Sequence, residues 1–221
     1  MKKSILFIFT ACFLFTTSCS DFLDEEHKTK YSSEYVFGTP EGLKLAVNAL
    51  YALQRYYAND TENATIFALE RGTDLAVTNG GTGNFYGIYD PNYLKPSASQ
   101  VGFMWRTMYQ IIGKANEIIA AAEDLEDTPS LRATVSEAKC FRAQSYFLLY
   151  RTFDRIWLNI QPTTAENVND PRDFHAASEK EVFDLIYEDL EYAITNLDWV
   201  SDEAGRFTQA AARHMKAKPA L

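Results

Sequence analysis

The chain has 221 residues, of which 47% are hydrophobic and 23% charged, and it carries a formal net charge of −9 at pH 7. This acidic composition argues against nucleic acid or an anionic lipid surface as a partner, because both would repel it. The length suffices for one hydrophobic core of ordinary size. Two of the three cysteines lie within the first 19 residues, so no internal disulfide is expected.

Residues 1–18 have the pattern of a lipoprotein signal peptide. Lys2 and Lys3 give it a positive start, and the apolar stretch 5–15 is too short to span a bilayer, which needs roughly 20 apolar residues. Small residues at 16–18 directly precede Cys19. This arrangement predicts cleavage before Cys19 and lipidation of its thiol, after which the acyl chains hold the protein to a membrane.

Two alternatives to lipidation at Cys19 stay open. Thr16 stands where such motifs usually carry leucine, so the segment could be an ordinary signal peptide with an incidental cysteine. Cys12 is a second candidate, although more apolar sequence follows it. The acidic run at 20–26 resembles the export signal that directs lipoproteins of Bacteroidetes to the cell surface, or it is a solvated linker. We expect a protein of the cell outer membrane, exposed at the surface and attached through its lipid alone.

Hydrophobic periodicity predicts an all-α domain over residues 39–221, after an extended lead-in at 19–38. Thr39 and Pro40 are suited to the cap and first turn of a helix that reaches about Tyr57. The residues Ser178 and Glu181 form a predicted capping box. Apolar residues recurring every three to four positions indicate further helices at 99–126, 130–153, 178–197 and from 209 onward. The helix at 130–153 is apolar on most sides and is therefore expected to be central. The order suggests hairpins of the tetratricopeptide kind, without a clean 34-residue repeat.

The loop at 79–98 has the chemistry of a carbohydrate site. It combines flat aromatic side chains, which can stack on sugar rings, with amides and carboxylates that can bond hydroxyl groups, and loops often carry specificity. The alternative is a glycine-rich surface loop whose aromatic residues pack onto the helices. Asp74 is a second polar candidate, although capping of the turn after Gly72 explains it as well. The candidate ligand-binding residues are Asp74, Asn79, Asn84, Phe85, Tyr86, Tyr89, Asp90 and Tyr93.

Three other residues receive structural interpretations. Asn116 interrupts an apolar helix face, and because a buried amide must be hydrogen-bonded, we expect it to fix a neighbouring loop. Arg142, inside the most apolar helix, is expected to pair with an acid. Trp157 could stack on a ligand, but a role as a core anchor is favoured.

Enzyme, metal and cofactor chemistry find no support in the residue pattern. The glycine-rich stretch 81–87 lacks the Lys-Ser/Thr ending of a phosphate-binding loop. The histidines are scattered without metal-ligand spacing. No nucleophilic triad or carboxylate pair for glycoside hydrolysis is evident. We therefore expect a binding protein with no catalytic residues, no metal and no cofactor.

Seven motifs follow one another along the whole chain. They are Cys-Ser-Asp-Phe-Leu-Asp at 19–24, Ala-Leu-Tyr at 49–51, Gly-Thr-Asp at 72–74, Trp-Arg-Thr-Met-Tyr at 105–109 with Ile112, Ala115 and Asn116, Glu-Ala-Lys-Cys-Phe-Arg-Ala-Gln-Ser-Tyr-Phe at 137–147, Glu-Val-Phe-Asp-Leu-Ile at 181–186 with Glu-Asp-Leu at 188–190, and Gly-Arg-Phe-Thr at 205–208. In this order they resemble the motifs of the SusD/RagB family of nutrient-binding lipoproteins from Bacteroidetes. The chain departs from the family at 154–158, where the family usually has Gly, a β-branched residue and Pro-Leu.

The resemblance implies a fold and a function. It implies an α-solenoid of tetratricopeptide-like hairpins with long ligand-shaping loops, and a non-enzymatic protein that captures oligosaccharides such as starch, or peptides. It also implies delivery to a SusC-like, TonB-dependent outer-membrane transporter on which the protein sits as a lid. The alternative is a surface helical scaffold that binds protein partners without a glycan site. Because family members are about twice as long or more, residues 39–221 are expected to be the N-terminal part of such a domain, incomplete at its C-terminus.

Overall fold

The computed structural model describes residues 31–59, 99–171 and 174–218. The helices belong to the unit Ser33–Leu221. Their order is α1 (Ser33–Gly38), α2 (Pro40–Asn59), α3 (Ser99–Ala121), α4 (Pro129–Thr152), α5 (Glu179–Asn196) and α6 (Gln209–Ala217), with a short 3₁₀ turn at Ala122–Asp124 after α3. No strand occurs in these three ranges. The all-α prediction is confirmed, and the arrangement of consecutive packed helices is tetratricopeptide-like.

Helix α1 differs from the prediction of an extended lead-in, because residues 33–38 are helical and contact α2 and α3. A close approach of the two helices requires glycine at position 42. A Cβ atom added to Gly42 would lie 2.2 Å from the carbonyl oxygen of Tyr35. Thr39 joins the two helices, since its hydroxyl accepts from Gly42 N–H at 3.0 Å and donates to Tyr35 O at 2.8 Å. The predicted cap at Thr39 is therefore present, and it also closes α1.

Helix α4 is the central helix, as its apolar composition predicted. It contacts α2, α3 and α5. Thr128 caps its start by accepting from Leu131 N–H at 3.1 Å, and Pro129 occupies the first turn, where its missing N–H is not needed. The large side chains that it buries completely are Phe141, Tyr146 and Leu149. Burial of each such side chain contributes roughly 1.5–3 kcal/mol.

Helices α5 and α6 complete the described domain. The predicted capping box is present at Ser178, whose backbone N–H donates to Glu181 at 2.8 Å while its hydroxyl accepts from Glu181 N–H at 3.3 Å. Thr208 caps α6 through Ala211 N–H, and Gly205, at φ +86°, makes the turn that precedes it. The Cys140 thiol is free and buried. Within the described ranges, no helix is long and apolar enough to cross a membrane.

Candidate functional site

The residues predicted to bind ligand lie outside the described ranges. Asp74, Asn79, Asn84, Phe85, Tyr86, Tyr89, Asp90 and Tyr93 all fall within 60–98, and the predicted lipidation site Cys19 falls within 1–30. Their roles remain predictions. A surface with comparable chemistry is the loop that joins α4 to α5, which the structure describes at 153–171 and 174–178.

Two tyrosine hydroxyls, one from the half-buried Tyr109 and one from the buried Tyr146, hold the start of this loop by its backbone. The hydroxyl of Tyr109 donates to Trp157 O at 2.8 Å and accepts from Trp157 N–H at 2.9 Å. The hydroxyl of Tyr146 does the same for Asn159, at 2.8 Å in both directions. A hydroxyl can serve as donor and acceptor at once, so one side chain satisfies both polar groups of a residue that has no helical or sheet partner. The loop end is tied back by Ala177 N–H, which donates to Ile156 O at 2.9 Å.

The electrostatic surroundings keep both hydroxyls in the donating form. Burial raises the pKa of Tyr109 above its usual value, although the hydrogen bond with the Trp157 backbone lowers it. Burial also raises the pKa of Tyr146, against a smaller lowering by the Asn159 backbone. The loop anchor therefore does not titrate in the neutral pH range.

A buried ionic network lies beneath this anchor. Arg142 donates to both oxygens of Asp189, from Nε and Nη2, each at 2.7 Å, and Lys139 donates to the same carboxylate at 2.8 Å. Arg142 also donates from Nη1 to Asn116 Oδ1 at 2.8 Å, while Asn116 Nδ2 donates to Asn159 O at 2.7 Å. Both structural predictions are confirmed: Arg142 pairs with an acid, and Asn116 fixes a neighbouring loop.

Aromatic side chains of α3 and of this loop contact one another. The ring centroid of Trp157 lies 6.4 Å from that of Tyr109 in a stacked arrangement and 4.8 Å from that of Phe174. The ring of Trp105 lies 4.8 Å from Tyr109 and 5.0 Å from Phe153. Trp157 stacks on Tyr109 but is only half-buried and is not part of the hydrophobic core, so the favoured role as a core anchor is not confirmed. It also contacts Phe174, which is 71% exposed.

A second polar cluster ties α2 and α4 to the turn before α6. Tyr51 donates to Glu137 Oε2 at 2.5 Å and accepts from Phe207 N–H at 2.7 Å. Arg206 donates to the same Glu137 oxygen at 3.1 Å. Burial raises the pKa of Glu137, while its bonds with Tyr51 and Arg206 lower it. In the sequence, these residues stood out only as parts of the family motifs. Their contacts show that they connect the helices. Among the described residues, no group of three or more His, Cys, Asp or Glu could hold a metal ion.

Replacing Tyr109 with phenylalanine tests the loop anchor. The ring stays, but Trp157 N–H and C=O lose their shared partner, so we expect the free energy of unfolding to fall by ~1–3 kcal/mol. Chemical denaturation measures this. The control is Tyr150→Phe, whose hydroxyl bonds to Glu179 at the helix surface and should cost less because water can replace it. Equal losses in the two variants would contradict the anchoring role.

Comparison with known proteins gives a consistent family match. The model of a SusD-like family, described as starch-binding and associating with the outer membrane, matches residues 21–221. A SusD-like protein of Bacteroides ovatus is 28% identical over 99% of this chain and 39% of its own length. A solved laminarin-binding SusD-like protein is 26% identical, with a TM-score of 0.67 over 80% of this chain and 39% of its own. A solved surface glycan-binding protein A of Bacteroides fluxus, at 22% identity and a TM-score of 0.64, covers 82% of this chain and 39% of its own. The chain thus spans about two fifths of the length of these relatives.

Proposed function

Because this chain belongs to the SusD-like family, described as starch-binding and associating with the outer membrane, we propose that it captures oligosaccharides at the cell surface. It does so without catalysing a reaction on them. The match over residues 21–221 is the observation that carries this proposal. The solved relative named for laminarin binding supports a glycan as ligand. Peptides are the second class of ligand that the predicted ligand loop at 79–93 could accept.

The chemistry of the chain supports a neutral ligand. With 30 acidic against 21 basic residues, its field repels anionic polymers. The predicted ligand loop at 79–93 offers aromatic faces and amides, and the loop between α4 and α5 offers both as well. Aromatic walls with a few polar groups are the usual composition of a small-molecule site.

The cellular setting completes the proposal. Lipid on Cys19 holds the chain to the outer membrane, and the captured oligosaccharide passes to a SusC-like, TonB-dependent transporter. The transporter would be recovered when the lipidated protein is purified from its own membranes in mild detergent. Failure to recover any such barrel would contradict the partnership while leaving glycan capture open.

Glycan capture is tested by titrating the chain with laminarin oligosaccharides and xylogluco-oligosaccharides. Sulfated oligosaccharides of similar length serve as anionic controls. Isothermal calorimetry should show saturable binding of a neutral oligosaccharide and none of the sulfated ones. If no glycan binds while the barrel still co-purifies, the protein-binding scaffold is the better account.

A further inference from the structure

We propose that Trp157 and Phe174 form a stacking subsite for one sugar ring of a neutral oligosaccharide. This inference rests on the proposed glycan-binding function and adds a subsite separate in sequence from the predicted loop at 79–93. It is carried by the geometry of the two rings, by the support beneath them and by the polar composition of the loop around them.

The two rings form an exposed, angled surface. Their centroids are 4.8 Å apart and their planes are inclined at 55°. Phe174 is 71% exposed, so its burial contributes little to the core. The apolar C–H face of a sugar ring fits against such a surface, because aromatic faces carry a partial negative charge that favours C–H groups.

Contacts from below hold Trp157 in place. Tyr109 stacks against Trp157 at an angle of 24° between ring planes and binds both backbone polar groups of that residue. Ile156, next to it, is buried in the core. The loop that presents the rings is tied at its ends by the Ala177 to Ile156 hydrogen bond. The described parts of this connection, 153–171 and 174–178, contain no helix or strand, and connections of this length are usually either functional or linkers. Prior ordering of the aromatic surface lowers the entropic cost of binding.

The remainder of the loop favours hydroxyl groups over charged ones. Residues 154–177 contain four acidic residues and two arginines, so the loop repels sulfated or uronate-rich polymers. The loop also carries amides and hydroxyls, which both donate and accept hydrogen bonds. The exposed or half-buried members with this chemistry in the described part of the loop are Asn159, Gln161, Thr163, Thr164, Asn167 and Asn169.

Phe174→Ala tests the subsite by titration with laminarin oligosaccharides. We expect the affinity to fall by roughly two- to tenfold, the range that aromatic stacking supplies. The melting temperature should stay unchanged, because the side chain is exposed, and Phe174→Tyr should restore binding. The matched control is Trp199→Ala, which removes another exposed aromatic residue, 61% accessible, at the turn after α5 and should leave affinity unchanged.

The outcomes separate the subsite from the proposed function. Weaker binding by Phe174→Ala, with rescue by tyrosine and normal binding by Trp199→Ala, supports the subsite. Wild-type affinity in Phe174→Ala overturns it while glycan capture stands, and equal losses in Phe174→Ala and Trp199→Ala overturn it as well. A wild-type chain that binds no oligosaccharide overturns both. If Phe174→Ala binds glycan normally but loses the co-purifying barrel, the rings form a protein contact instead.

Discussion

Replacing Asp189 with asparagine is expected to lower the free energy of unfolding by ~3–5 kcal/mol, the cost of leaving a buried charge without its partner. The Asp189 carboxylate is fully buried and accepts hydrogen bonds from both Arg142 and Lys139. The amide has nearly the same shape but no charge, so the two cations would lose their counter-ion. Since Arg142 also holds Asn116, the change should extend to the loop at Asn159.

The control for this prediction lies on the same helix. Asp184 pairs with Lys180 one turn away, and both side chains are largely exposed, so water and salt already screen their attraction. Asp184→Asn should therefore change stability only slightly. Urea unfolding followed by circular dichroism measures both variants. If the two substitutions cost the same, the buried network does not stabilise the helical core in the way its geometry indicates.

Replacing Cys19 with alanine is expected to abolish lipid attachment completely. The signal peptide predicts that the Cys19 thiol is the atom to which lipid is attached. Each buried CH₂ of an acyl chain contributes about 0.8 kcal/mol to membrane binding, so several chains together hold the protein firmly. Growth of the expressing cells with an alkyne-tagged fatty acid reports the modification directly. The wild-type protein should carry the label, and Cys19→Ala should carry none.

Cys12→Ala is the matched control, because Cys12 is the competing lipidation site in the same segment. This variant should be labelled like the wild type. Label that follows Cys12 would move the mature N-terminus upstream by seven residues. An unlabelled wild-type protein would favour the ordinary signal peptide with an incidental cysteine.

Features set by neighbouring residues could be predicted from the sequence. The cap at Thr39 and the capping box at Ser178 each depend on a residue three positions away, and both are present. The central place of α4 followed from its apolar composition. Helix α1 was missed because six residues carry too little period, and its formation depends on the close approach that Gly42 permits.

Features that depend on distant partners could only be predicted in part. That Arg142 needs an acid follows from its burial, but its partner Asp189 lies 47 positions away and no spacing rule links them. The same holds for Tyr109, whose hydroxyl holds a loop 48 positions later. Phe174 lies in a segment without periodicity, so nothing in the sequence distinguished an exposed ring seated on Trp157 from a buried one. The ligand residues at 74–93 remain predictions.

Hydrogen exchange with and without a bound laminarin oligosaccharide tests most directly the central claim, that loops carried on a helical framework bind a glycan. The account predicts that binding slows exchange in residues 74–93 and in residues 157–174, while amides in the middle of α5 change little. No change in either loop at a saturating oligosaccharide concentration, or protection confined to α5 and α6, would contradict it.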